Sequence, residues 1–415
     1  MEKEMEERIK GLLRRNDTKM VMCVLDGLGG LPVGERGGKT ELETAATPNM
    51  DRLAREGAVG LHVPVARGIT PGSGAAHLAL FGYDPLRYEI GRGVLEALGL
   101  GIEMTSRNVA VRGNFSTVKY VDDKPVLVDR RAGRIPTLEN RRIASGIQAA
   151  IPEVDGVKVS ITSGMEHRFA LVLTFDDPLP DGADAVLDTD PQSEGVSPLS
   201  PEPKTREAER VAIVLDKYVH EATALIRDEE RANYMLLRGA ARYPNLAGYG
   251  ENYGLKAAAI AAYPMYRGVA KLVGMDVLDV AEGGAIEDEI EAMARAYEDY
   301  DFFYLHVKKT DSYGEDGDFD AKVGVIEAFD RLVPSILGLN PDILVVTGDH
   351  STPSVMRAHS WHPVPFLLHS GLARGGGGAE FSEPGCLRGE LGVFRAVEIM
   401  PLMLAHAGRL QKYGA

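Results

Sequence analysis

At 415 residues, 44% hydrophobic and 26% charged, the chain can build one large domain or two ordinary ones with substantial cores, and its composition is that of a soluble globular protein. No apolar run approaches the length a bilayer crossing needs, and residues 1–19 form a charged amphipathic stretch without the apolar centre of a signal peptide, so no membrane partner is expected. The formal net charge of −15 argues against nucleic acid as a partner; an acidic chain that binds an anion needs local positive charge, from metal ions or clustered arginines. The two cysteines, Cys23 and Cys386, lie far apart without metal-type spacing, which makes the cytoplasm the expected compartment.

Met20–Leu25 (MVMCVL) is an almost unbroken apolar run ending in Asp26-Gly27-Leu28-Gly29-Gly30, the pattern of a buried strand that delivers an acid into a glycine-rich loop. Thr47-Pro48 predicts a helix start with proline at its first position, and Gly57 its stop. Residues 104–231 change character: short alternating runs, then a loop rich in Pro, Asp and Ser at 181–203, then a charged helical segment at 205–227. That stretch predicts a smaller α+β domain inserted into a core made of residues 1–103 and 232–415. Helical spacing returns at 285–300 and 322–337, and the glycine tract 375–378 predicts a surface loop. Two more buried strands repeat the opening plan. Phe302–Val307 leads into Lys308-Lys309-Thr310-Asp311, and residues 343–346 lead into Thr347-Gly348-Asp349-His350. Three strands each ending on an Asp predict a mainly parallel sheet covered by helices, with its site at the carboxyl edge.

The chemistry gathers at those ends. Ser73, framed by Gly72 and Gly74 ahead of a predicted helix, fits a turn whose free N–H groups favour a phosphoryl group, although a glycine-framed serine alone is also an ordinary loop feature. Asp349 and His350 suit a divalent ion, or else a helix cap beside a packed histidine. Asp311 and Glu315 fall on one face if they form a helical turn, and His359 follows nine positions after His350. Together these residues fit a two-metal site with a serine nucleophile.

Five segments, Asp26 at its strand end, TPGSGAAHLALFGYDP (70–85), HVKKTDSYGEDGDF (306–319), VVTGDHSTPS (345–354) and AHSWHPVP (358–365), resemble in order the archaeal-type 2,3-bisphosphoglycerate-independent phosphoglycerate mutases of the alkaline phosphatase superfamily. The resemblance implies an alkaline-phosphatase-like α/β fold and exchange of phosphate between 3-phosphoglycerate and 2-phosphoglycerate through a phosphoserine at Ser73, without bisphosphoglycerate. It implies one divalent ion held by Asp26, Ser73, Asp349 and His350, and a second held by Asp311, His359 and position 315. Relatives are expected to carry histidine at that last position, where this chain has Glu315, a harder ligand; Mn²⁺ is the expected ion, with Mg²⁺, Co²⁺ or Zn²⁺ as alternatives. The insert is expected to act as a lid that grips the glycerate. Arg130, Arg131 and Arg134 in one short turn, with Arg238, Arg112 and Lys308, are the candidates for its carboxylate and phosphate. Asp129 and Asp188 are candidates for proton transfer, and His77 fits the pattern without a derived role. Other readings of the same motifs are a homoserine kinase-like phosphotransferase, a metal-dependent phosphatase, and a binding protein on an enzyme fold.

Overall fold

A computed structural model of the chain describes residues 3–244, 246–280, 284–375 and 380–414. Apart from Gly375, the expected glycine loop lies outside the described residues. The chain divides into two compact units, Met1–Glu89 with Leu246–Ala415, and Ile90–Asn245.

Strands β1 (Met20–Leu25) and β2 (Ala58–Val63) open the first unit. The second unit carries β3 (Asn108–Val121), β4 (Lys124–Asp129), β5 (Glu153–Val154), β6 (Val157–Ser163), β7 (Arg168–Thr174) and β8 (Tyr234–Arg242). The chain then returns with β9 (Ala257–Ala261), β10 (Asp276–Val277), β11 (Phe302–Val307), β12 (Ile343–Thr347), β13 (Val364–Ser370) and β14 (Gly392–Arg395).

In the first unit the sheet order is β10-β9-β11-β1-β12-β13-β2-β14. Every pairing is parallel except those of β13 with β12 and β2. β1, β11 and β12 are buried along their whole length, which is why their sequences read as unbroken apolar runs rather than alternations. The helix Phe319–Leu337 covers this sheet; Asp318 caps it by accepting the Ala321 N–H at 3.0 Å, and Ile326, Phe329, Val333 and Ile336 bury its apolar face. Helix Pro48–Glu56 begins on its proline as expected, but the Thr47 hydroxyl caps no backbone N–H and points at Asp51 instead. Because β11, β1 and β12 are neighbours, the loops after them bring Asp311, Asp26 and Asp349 to one edge.

The second unit is an antiparallel sheet, β4-β3-β7-β6-β5 with β8 added against β3. Helices Thr137–Ala150 and Glu209–Ile226 share its core with Phe115, Phe169 and Leu171. The unit is wider than the expected 104–231 at both ends. Helix Arg92–Gly99 packs on β3 and β8, and β8 itself pairs with β3, so both belong with the antiparallel sheet rather than with the parallel one. Among the described residues, no helix is long and apolar enough to cross a membrane.

His62 is wholly buried in β2, its Nε2 2.9 Å from the Gly348 carbonyl oxygen and 3.1 Å from Thr347 Oγ1. Burial lowers its pKa from 6.5 to about 4. Between those values the unfolded chain holds a proton that the folded chain refuses, so stability is complete above the unfolded value and is lost as pH falls through this window. Urea unfolding of metal-free protein is therefore expected to weaken from about pH 6.5 downward, His62 alone contributing about 1.4 kcal/mol per pH unit. His62→Gln, which keeps a donor for Gly348, should show a shallower loss; an unchanged slope would assign the effect elsewhere.

Candidate metal centre

The loop after β1 turns sharply at Gly27, whose φ of +64° is one that a side chain resists. A Cβ there would also stand 2.5 Å from Thr352 Oγ1 and 2.9 Å from Asp311 Oδ1, so glycine lets the three strand-end loops meet. The Gly27 N–H donates to Asp349 Oδ1 at 3.0 Å, and the Thr310 hydroxyl donates to the Asp26 carbonyl at 2.5 Å.

Two clusters of ligand atoms result, Asp26–Asp349–His350 and Asp311–His350–His359, each with its atoms within 4.8 Å of one another. They share His350, whose ring stacks on that of His359 at 3.6 Å. Neighbours set both tautomers. Thr352 Oγ1 gives its hydrogen to Asp311 Oδ1 at 2.7 Å and therefore accepts the His350 Nδ1–H at 3.0 Å, leaving Nε2 as the free donor atom. His359 gives its Nδ1–H to the Pro71 carbonyl at 2.9 Å, which likewise turns a bare Nε2 toward Asp311. Burial holds the His350 pKa at about 3, so the imidazole is neutral and able to ligate near pH 7.

Ser73 opens the helix Ser73–Leu80, with Gly72 in extended conformation before it, and its Oγ lies 3.3 Å from His350 Nε2. One turn on, His77 Nδ1 donates to the Ser73 carbonyl at 2.8 Å and stands 3.3 Å from Asp349 Oδ2, so one ring touches both the serine's backbone and a carboxylate of the cluster. Asp26 Oδ2 has Lys308 Nζ at 3.0 Å and His306 Nε2 at 3.3 Å, and receives the Tyr266 hydroxyl.

These carboxylates are strained by their company. Burial, then the charge of Asp26, pushes the Asp349 carboxyl well above the usual range. Asp26 itself is driven upward by burial, but His306 and the Lys308 ammonium outweigh that and hold it well below. Asp26 Oδ1 and Asp349 Oδ2 are buried without a hydrogen-bond partner. Anionic oxygens with unused lone pairs, beside two imidazole nitrogens with fixed tautomers, suit a divalent cation, and the residues present fit one.

The expected site residues divide between the units. Asp26, Ser73, Asp311, Asp349, His350 and His359 come together in the first. Glu315 lies one turn after Asp311 on helix Lys309–Asp316, with its Oε1 3.8 Å from His359 Nε2 and its side chain 55% exposed, at the flank of the second cluster. Lys308 also belongs here, bound to Asp26 and, at 2.5 Å, to Asp311, not to the arginines of the insert. In the second unit Arg130 makes a bidentate pair with buried Asp190, both bonds 2.8 Å, so its fork is already engaged. Arg131 and Arg134 are exposed. Asp129 accepts the N–H groups of Arg131 and Gly133 at 2.7 Å each, and Asp188 that of Gly239 at 2.7 Å, which occupies both proposed proton carriers with backbone.

Arg238 stands in a different cluster. It faces Arg112 directly across β3 and β8, a like-charge pair that a sheet disfavours. Arg168 and Arg92 add to the charge around Arg112, burial and these neighbours lower the Arg112 pKa, and only Glu96, 3.6 Å away, offsets them there. The Arg238 Nε is buried without a hydrogen-bond partner. Two carboxylates face this guanidinium, Asp188 Oδ2 at 3.8 Å from Nε and Asp190 Oδ2 at 3.5 Å from Nη1. Arg168 and Arg92 escaped the sequence reading because strand pairing, not local clustering, assembles the group. Tyr266, His306 and Thr352 were missed as well. His306 carried a signal, two residues before Lys308 on a strand that ends in the site; Tyr266 had none.

This arrangement defines a metal-dependent enzyme, and the family model described as Metalloenzyme superfamily matches residues 18–406. A probable 2,3-bisphosphoglycerate-independent phosphoglycerate mutase of Aquifex aeolicus is 55% identical over 407 residues, covering 98% of this chain and 99% of that protein. Among solved structures, a protein of Pyrococcus horikoshii superposes with a TM-score of 0.80 at 30% identity, covering 97% of this chain and all (100%) of the other. The cofactor-independent phosphoglycerate mutase of Thermoplasma acidophilum superposes with a TM-score of 0.73 at 29% identity, over 94% of this chain and 100% of that one. The chain belongs to the family of 2,3-bisphosphoglycerate-independent phosphoglycerate mutases.

Because the Asp349 carboxyl is held above the ordinary carboxylate range and a ligating carboxylate must be ionised, metal uptake by metal-free protein is expected to release protons. Calorimetric titration with Mn²⁺ in two buffers of different ionisation enthalpy reads that release directly. Asp349→Asn should diminish it, and equal heats in both buffers would show that the carboxyl is already ionised.

Proposed function

We propose that this chain interconverts 3-phosphoglycerate and 2-phosphoglycerate, needs no bisphosphoglycerate, and works through a phosphoserine at Ser73. The observation that carries the reading is Ser73 Oγ, at a helix N-terminus and 3.3 Å from His350 Nε2, beside the buried carboxylates of Asp26 and Asp349. In this reading one divalent ion is held by Asp26, Ser73, Asp349 and His350, and another by Asp311, Glu315 and His359. When bound, such ions supply positive charge that favours the serine alkoxide and the crowded oxygens of a phosphoryl group in flight.

Ser73 Oγ attacks phosphorus in line, the P–Oγ bond forms and the bond to the glycerate oxygen breaks. The proton that leaves Ser73 balances the one the glycerate oxygen takes up. Free N–H groups of the helix start face the transferred group. The other glycerate hydroxyl then attacks phosphoserine, and Ser73 recovers its proton. Water must stay out during this interval, or the product is free phosphate. On the second unit, Arg112 and Arg238, which face each other across the sheet, are held as candidate contacts for an anionic group. Arg131 and Arg134 are held as further contacts of that unit, and Lys308 as the cation that steadies Asp26 and Asp311. The cytoplasm is the proposed compartment, and Mn²⁺ the proposed ion.

Purified protein supplied with Mn²⁺ should form 2-phosphoglycerate from 3-phosphoglycerate without bisphosphoglycerate, read by coupling to dehydration. Ser73→Ala should lose this by a factor of about 10³ or more. Phosphorylation of homoserine by ATP, or release of phosphate in place of isomerisation, would replace the substrate while keeping the site.

Burial, then the negative charge of Asp311, raises the Glu315 pKa against the opposing pull of His359 and Lys308. Glu315→His should therefore move metal preference from Mn²⁺ and Mg²⁺ toward Co²⁺ and Zn²⁺ in competition binding. Identical preference in the variant would remove Glu315 from the ligand set.

A further inference from the structure

Beneath the two clusters lies a cation that the proposed chemistry does not use. Lys322, on helix Phe319–Leu337, is 0% exposed. Its ammonium donates to three backbone carbonyls, Gly27 O at 2.8 Å, Thr352 O at 2.9 Å and Gly29 O at 3.2 Å. All three of its N–H bonds are thereby used, and a buried charge is tolerated only when so satisfied. The carbonyls belong to two different loops, the one after β1 that carries Asp26 and the one after β12 that carries Asp349 and His350.

Two carboxylates, buried Glu41 and half-buried Glu383, hold the opposite polarity of the same loops. Glu383 accepts the Gly30 N–H at 2.8 Å, and Glu41 accepts the Ser354 N–H at 2.8 Å. The loops therefore present carbonyls to a cation and amides to anions, and the charges of Glu41 and Glu383 favour the buried ammonium. A second Glu41 oxygen, Oε2, is buried without a partner, and the space a Gly30 Cβ would need is occupied by that oxygen at 2.0 Å. No slack remains for the loops to slide. Thr352 relays the arrangement upward: its carbonyl is held by Lys322, while its hydroxyl bonds Asp311 Oδ1 and His350 Nδ1.

We propose that Lys322, with Glu41 and Glu383, is a positioning clamp that sets the spacing of Asp26 against Asp349 and His350 and so tunes cation affinity without touching cation or substrate. The proposal rests on the reading of those residues as ligands. An ordinary structural lysine would contribute to stability alone; a clamp contributes to the difference between the metal-free and the loaded states.

The test is Mn²⁺ binding to wild type, Lys322→Met and Glu41→Gln by equilibrium titration, together with unfolding midpoints with and without Mn²⁺. Folding of each variant is checked by circular dichroism. Lys322→Met is expected to bind Mn²⁺ about 10- to 100-fold more weakly, as removal of an outer-shell partner does, and to gain less midpoint from Mn²⁺ than wild type. Glu41→Gln keeps the shape and the Ser354 bond, folds, and should show a smaller loss of the same sign. Wild-type affinity in the folded variants, with both midpoints lowered equally, would overturn the clamp. If Lys322→Met does not fold, wild-type affinity in Glu41→Gln overturns it alone. A wild type that takes up no Mn²⁺ would sink the ligand reading itself, and the clamp with it.

Discussion

The structure depends on the crowding of buried carboxylates at one sheet edge. Asp26, Asp311 and Asp349 end three adjacent parallel strands, and two of them have oxygens without any protein partner. Left alone, such groups repel one another: burial, then the charge of Asp26, raises the Asp349 carboxyl, while His306 and Lys308 hold Asp26 low against its own burial. Everything nearby works to hold them together. Gly27 lets the loops approach, Thr352 and Pro71 fix the imidazole tautomers, and Lys308 and Lys322 supply positive charge above and below. The arrangement is costly to a bare protein and favourable to a cation-loaded one, which is the signature expected of a metalloenzyme.

Much of this was legible because parallel strands write themselves plainly. MVMCVL, FFYLHV and the run before Thr347 are buried on both faces, and the Asp at each end needs no long-range information to be noticed. His350 and His359 were legible for the same reason, being tied to one strand and its loop. The antiparallel unit was harder. Arg112 and Arg238 are over a hundred positions apart and meet only because β8 returns to pair with β3. Arg112 and Arg238 stood among the candidates singly, behind the conspicuous run Arg130, Arg131, Arg134, yet Arg130 is committed to Asp190. The same return of β8, with the helix before β3, widened the unit beyond its expected edges, since pairing partners cannot be read from local composition.

Lys308 shows how chemistry can be right in kind and misplaced in position. A lysine at a strand end near a phosphoryl site reads as a substrate contact. Its ammonium instead bridges Asp26 and Asp311, where it joins the two clusters across their carboxylates. Their negative charges raise its pKa although burial opposes this, so it stays charged throughout the physiological range. A permanent cation at that point lowers the repulsion between loops that must stay close whether or not metal is present.

Glu315 fits the same electrostatic logic. In the proposed ligand set, Asp26, Asp349, Asp311 and Glu315 are four carboxylates that would face two divalent cations and the Lys308 ammonium. A histidine in place of Glu315 would leave the loaded site with one more positive charge. In that reading, a carboxylate at position 315 would trade attraction for the incoming phosphate against tighter retention of hard cations. In the second unit Arg112, Arg168, Arg92 and Arg238 gather, with Glu96 beside Arg112 and Asp188 and Asp190 beside Arg238. An acidic protein that binds an acidic substrate must concentrate its positive charge, and here it does so in two places, one meant for metal and one made of arginine.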